Sequence, residues 1–220
     1  MAITCIIEVS LLLYTLFRYK MNTLTWLAMA TLGLLALFQL SEFTVCGVTD
    51  WSAAFWSRVG YIAITLLPPL GIHLIRTISG RGSRWLVRVA YLTGGVFALI
   101  FGLAPSAFQD HICAGNYAIF QLAPSLGGIY FGYYYGWLII GVCQALLFAA
   151  TAPIATRKAL LYQVFGYLAF LLPTGIVNAI NPQTIAGIPS VMCGFAVIYA
   201  IVLAFGIMPL ATKVTKKPRK

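Results

Sequence analysis

The sequence predicts an all-α membrane protein, a bundle of seven transmembrane helices. Three observations carry this. Hydrophobic residues make up 61% of the 220 positions and charged residues only 8%, against about 25% charged in soluble domains. The apolar residues fall into seven runs, most close to the roughly 20 residues a spanning helix needs. The basic residues sit between these runs, in alternate connections and so on one side. So apolar a chain cannot cover a core with a wetted surface, which excludes a soluble enzyme, a disordered chain and a repeat solenoid.

The first run, Ala2 to Phe17, is closed by Arg18, Tyr19 and Lys20. No basic segment precedes it and Glu8 interrupts it, so it reads as a span and not a cleaved signal peptide. The second extends from Thr23 to about Thr44, and the third from about Trp51 to Ile75, ending at Arg76. The fourth covers Trp85 to Leu103, before Pro105. The fifth runs from about Gly127 to Ala152, the sixth from Ala159 to Ile180, and the seventh from Ile188 to Leu210. Residues 1–210 form the membrane domain, and 211–220 a basic tail ending Lys-Lys-Pro-Arg-Lys. The runs are too long for barrel strands of about 10 residues and lack strict alternation.

Orientation follows from the cations. The chain has 14 Lys and Arg and four acids. Counted along the sequence, 13 of the 14 lie on one side, in the first, third and fifth connections and the tail. Only Arg58 lies towards the other side, with Glu42, Asp50 and Asp110. The positive-inside rule places the N-terminus outside and the C-terminus in the cytoplasm. The same rule accounts for the net charge of +10 without nucleic acid. The expected location is the cell membrane, multi-pass, in a bacterial inner membrane.

Cys46 and Cys113 fall in separate outer connections, and we expect a disulfide between them; two free thiols are the alternative. Cys5, Cys143 and Cys193 lie within apolar runs and read as small hydrophobes. The long loop from Pro105 to Leu126 reads either as a short helix capping the bundle, a lid, or as an ordinary interfacial loop.

Charged and polar residues inside spans usually face the bundle or a wet cavity. Gln39 and Glu42 are three apart and share a face of the second helix. Arg58 lies at similar depth on the third, so an ion pair with Glu42 is expected, with Glu8 as a second acceptor. At 100° per residue, Arg58, Thr65, Pro69 and Arg76 share one direction, flanked by Ile72 and His73. Pro68-Pro69 predicts a kink. His73 reads as interfacial and not as a proton relay. The sixth run contains Pro173 and then Asn178, a second break near a polar side chain. Glu42, Arg58, Thr65, Asn178 and Gln39 are therefore the candidate ligand-binding residues.

Gly128, Gly132 and Gly136 form a double GxxxG, and Gly94, Ala98 and Gly102 a similar stripe. Packing of these two stripes within one chain is the favoured reading, and a homo-oligomer through Gly128, Gly132 and Gly136 the alternative. Tyr130, Tyr133, Tyr134, Tyr135 and Trp137 read as an aromatic belt. No phosphate loop, HExxH or CxxC is present, and His73 and His111 fall on opposite sides. No catalytic set, metal site or cofactor is expected, and the chain reads as a non-enzyme. The seventh run has no lysine for a retinal Schiff base, and no internal repeat supports a transporter.

The stretch Trp56-Ser-Arg-Val-Gly-Tyr61, followed by Pro68-Pro69 in the third span, resembles the seven-helix sensor region at the front of some bacterial histidine kinases. The resemblance implies ligand sensing and relay to a cytoplasmic kinase. This chain shows no kinase sequence after the seventh run, so its output would pass through another membrane or cytoplasmic signalling protein. The first functional reading is a stand-alone sensor or receptor-like protein that binds a small ligand from outside. A small-solute transporter and a non-catalytic subunit of a larger membrane complex are the alternatives. Membrane lipids are expected partners and nucleic acid is not.

Overall fold

The computed structural model describes residues 1–47, 52–114, 117–181, 184 and 187–215. The helices are α1 (Ala2–Arg18), α2 (Thr23–Cys46), α3 (Ala53–Thr65), α4 (Leu67–Ser79), α5 (Arg84–Leu103), α6 (Pro124–Ala150), α7 (Ile154–Ile180), α8 (Ile188–Ile201) and α9 (Met208–Thr215). A π-helical turn, Val202–Ile207, joins α8 to α9. Strands β1 (Phe108–Ala114) and β2 (Tyr117–Leu122) form an antiparallel hairpin between α5 and α6. Among the described residues, counting α3–α4 and α8–α9 as single rods, six helices are long and apolar enough to cross a membrane. The remaining one, α1, has 17 residues, at the lower limit for spanning.

Helix α2 is the axis. Asn22 caps it, its Oδ1 accepting the Thr25 N–H at 2.9 Å, and apolar residues on nearly all sides are buried. It packs on α1, α3, α4 and α8. The peripheral helices bury single stripes. In α1 the stripe is Glu8, Leu11 and Thr15; in α5 it is Ala90, Gly94, Phe97 and Phe101. Both follow the i, i+3, i+4 spacing of one helix face. Their other faces expose Ile6, Leu92, Leu99 and Leu103, as lipid contact requires.

The third run breaks where the prolines predict. Its first half ends at Thr65 and its second begins at Leu67. Pro69 has no N–H for the Thr65 carbonyl, four residues back. That carbonyl instead accepts the Tyr133 hydroxyl at 2.7 Å. Gly94 makes room: a Cβ there would stand 2.8 Å from the Tyr133 hydroxyl and 3.0 Å from Pro69. Helix α4 ends in a left-handed Gly80, φ 64°, a glycine C-cap. Pro173, by contrast, lies inside an unbroken α7.

Several boundaries differ from the sequence reading. Arg157 and Lys158 fall within the first five residues of α7 and not in a connection. The third run continues to Ser79, and the seventh, through the π turn, to Thr215. The long loop is a β-hairpin, not a helix. Ala118 and Phe120 are buried with Ile119 between them, the period of two of a strand. The disulfide Cys46–Cys113 is present and ties the end of α2 to β1.

The glycine stripes do not meet. A Cβ at Gly128, Gly132 or Gly136 would touch nothing within 4 Å. The buried stripe of α6 is Tyr130, Tyr134, Leu138, Gly141, Ala145 and Ala149, so these glycines face away from the bundle. Tyr130 and Tyr134 correspondingly belong to the core, not to an aromatic belt. Tyr130 joins Tyr61, Phe97, Phe101 and Phe108 in one aromatic cluster beneath the hairpin.

Candidate functional site

A polar site lies under the hairpin, between α1, α2 and α8. The Thr4 hydroxyl donates to Gln39 Oε1 at 2.9 Å, and the Cys5 thiol lies 3.5 Å from the Ala36 carbonyl. These two contacts fix the register of α1 against α2. They bring Glu8, one turn below Thr4, to the buried side, where its exposure is 0%. Glu42, one turn along α2 from Gln39, is exposed by only 1%. Glu8, Glu42 and Cys193 of α8 lie within electrostatic reach of one another.

The hairpin is held by this site. Glu42 Oε1 accepts the Ala118 N–H at 3.5 Å, a long bond. Ser190 of α8 donates its hydroxyl to the Ala118 carbonyl and also faces the Glu42 carboxylate. Ala118 is fully buried. One strand residue is thus gripped on both backbone groups, from α2 and from α8, and the disulfide secures the strand opposite.

Among the described residues, three polar atoms in the site lack partners: both carboxylate oxygens of Glu8, and the side-chain nitrogen of Gln39. Taking a bare carboxylate out of water costs several kcal/mol. The Glu8 position therefore calls for a proton, a cation or a hydrogen-bond donor. Among the described residues, no group of three or more His, Cys, Asp and Glu is placed to hold a metal ion.

The five sequence candidates separate. Gln39 and Glu42 belong to the site. Arg58 does not, and its expected pair with Glu42 is not formed: its guanidinium donates to the Gly102 carbonyl at 3.0 Å. Gly60 lies on the α3 face that meets α2, where a Cβ would lie 3.1 Å from that of Ser41. Arg58 precedes Gly60 by two residues, about 200° around the helix, so it points to α5. There it places a cation at a helix C-terminus, a favourable position. Nor does Glu8 serve as a second acceptor for it. Thr65 is buried at the kink, donating to the Tyr61 carbonyl at 2.6 Å with the Tyr130 hydroxyl at 3.1 Å. Asn178 accepts the Thr184 hydroxyl at 2.8 Å and secures the turn after α7. Asp50 lies outside the described residues, as does the side chain of Asp110.

Sequence reasoning named Glu8 only as an auxiliary and missed Ser190, Cys193 and Ala118. The Glu8–Leu11–Thr15 spacing marked the inner face of α1; nothing marked Ser190. Next to Cys193 lies a cavity of about 20 Å³, lined by Tyr134, Tyr167, Phe170, Met192 and Tyr199 among others. It has room for one water. Gln163 donates to the Tyr199 hydroxyl at 2.7 Å, while its buried carbonyl oxygen has no partner among the described residues.

No protein-family model matches this chain, and no curated protein matches it.

Proposed function

We propose that this chain is a seven-helix membrane sensor, receptor-like, with α1 as a span, the N-terminus outside and the C-terminus in the cytoplasm. The ligand is a small cation or strong hydrogen-bond donor that reaches Glu8, Gln39 and Glu42 from the hairpin side. The observation that carries this reading is the unpartnered Glu8 carboxylate, fully buried beside an unpartnered Gln39 amide. A purely structural site would pair such groups, because each leaves a desolvation cost uncompensated.

The hairpin supplies the coupling. A ligand at Glu42 competes with Ala118 for the same carboxylate, so occupancy loosens the grip of α2 and α8 on the hairpin. Both helices run to the opposite, basic end, α8 through its π turn. The resemblance to kinase sensor regions agrees with this reading.

The test is thermal unfolding of the purified full chain with a panel from ammonium to guanidinium compounds. One class of small cation is expected to stabilise it, by about 2.7 kcal/mol at a hundredfold excess over Kd. Glu8→Gln is expected to remove the effect. A shift that persists in Glu8→Gln would refute the assignment of the site. Glu8-dependent solute uptake into proteoliposomes would make the protein a transporter, and co-purification at fixed stoichiometry with other membrane proteins would make it a subunit.

A further inference from the structure

The end of the bundle opposite the hairpin carries a groove of about 830 Å³, lined by Arg18, Lys20, Asn22, Thr23, Thr77 and Thr212 among others. It lies between the end of α1, the start of α2, the end of α4 and α9. Its volume is in the range of small-molecule sites, ~300–1,000 Å³.

The electrostatics of this groove are one-sided. Glu8, Glu42, Asp50 and Asp110 are the only acids in the chain, and the sequence places all four towards the hairpin end. Two cations of the basic end have protein acceptors outside the groove: Arg76 donates to the Gly82 carbonyl at 3.3 Å, and Arg81 to the Thr151 hydroxyl at 2.6 Å. The side chains of Arg18 and Lys20 have no acceptor among the described residues. The α2 N-terminus opens into the same groove. Asn22 satisfies the Thr25 and Trp26 N–H groups, which leaves those of Thr23 and Leu24 for a ligand. Unpaired helix N-terminal N–H groups favour anions. The hydroxyls of Thr23, Thr77 and Thr212 add polar lining. The rim is apolar: Phe17, next to Arg18 in the chain, is 82% exposed and Met21 48%.

We propose that this groove holds the headgroup of one anionic glycerophospholipid. Its phosphate sits on Arg18, Lys20 and the first turn of α2, and its acyl chains lie along Phe17 and Met21. The apolar rim is what selects a lipid over a soluble phosphate. The inference is independent of the ligand assigned to the hairpin end.

Native mass spectrometry of the delipidated full chain, titrated with phosphatidylglycerol, phosphatidylcholine or glycerol 3-phosphate, tests it. One phosphatidylglycerol is expected to be retained in preference to the other two. In Arg18→Gln/Lys20→Gln its affinity should fall about tenfold to thirtyfold, the effect of two cations near a membrane surface. Arg84→Gln/Arg88→Gln removes the same charge elsewhere on that end and should retain the lipid. Thr77→Trp fills the groove with the charges intact and should lose it, which keeps the test decisive if the first double variant does not fold. Equal loss in both double variants, retention in Thr77→Trp, or glycerol 3-phosphate bound as tightly as the lipid would each overturn the proposal.

Discussion

The kink between α3 and α4 gives the sharpest stability prediction. Pro69 deprives the Thr65 carbonyl of its helical donor, and Tyr133 replaces that donor at 2.7 Å. Tyr133→Phe keeps the ring and its contact with Phe97, centroids 4.7 Å apart, but removes the hydroxyl. An unsatisfied buried carbonyl costs about 1–3 kcal/mol in water-soluble proteins. Hydrogen bonds between membrane helices average nearer 0.6 kcal/mol, with a maximum near 1.7. We therefore expect Tyr133→Phe to cost about 1 kcal/mol. Pro69→Ala returns an N–H to the helix, and Thr65 then has its own donor. In the Pro69→Ala background Tyr133→Phe should cost little, a coupling visible in a double-mutant cycle. Reversible unfolding in mixed micelles of a mild detergent and dodecyl sulfate is the assay. An equal cost of Tyr133→Phe in both backgrounds would refute the link between the proline and the tyrosine.

Three further outcomes are expected. Arg58→Met should destabilise by about 1 kcal/mol through loss of the cation at the α5 C-terminus, and Glu42→Gln should not rescue it; the cycle should be additive by the same unfolding assay. A Cβ at Gly71 would collide with the Tyr167 hydroxyl, so Gly71→Ala should cost about 1–3 kcal/mol by overpacking, and Tyr167→Phe should recover part of the loss in thermal midpoint. A Cβ at Gly132 would meet nothing within 4 Å, so Gly132→Ala should not lower the thermal midpoint, and the gain in helix propensity should raise it slightly.

The hairpin shows how little of the site was legible in advance. Alternating Ala118 and Phe120 is a strand signal, yet a run of apolar residues beside a membrane reads equally as an interfacial helix. The pairing with β1, fixed by Cys46–Cys113 and by Ala118 between Glu42 and Ser190, settles it. Glu8 was visible as a charge in a span, and Gln39 and Glu42 as neighbours on one face. Their common site depends on α1 and α2 meeting through Thr4 and Cys5, a register no spacing within either helix contains.

The sequence alone determined the apolar runs, the sidedness of the cations, the break at Pro68-Pro69 and the two cysteines able to bridge. Each is a local property, set by the length of a run, by charge, or by a missing N–H. The tertiary structure decided which face of each helix turns inward. Lipid and protein core are both apolar, so a membrane helix lacks the contrast that marks the buried side of a soluble one. That is why Arg58 turned to Gly102 and not to Glu42, why the glycines of α6 face away from the bundle, and why Glu8 proved to be the buried, unpartnered charge.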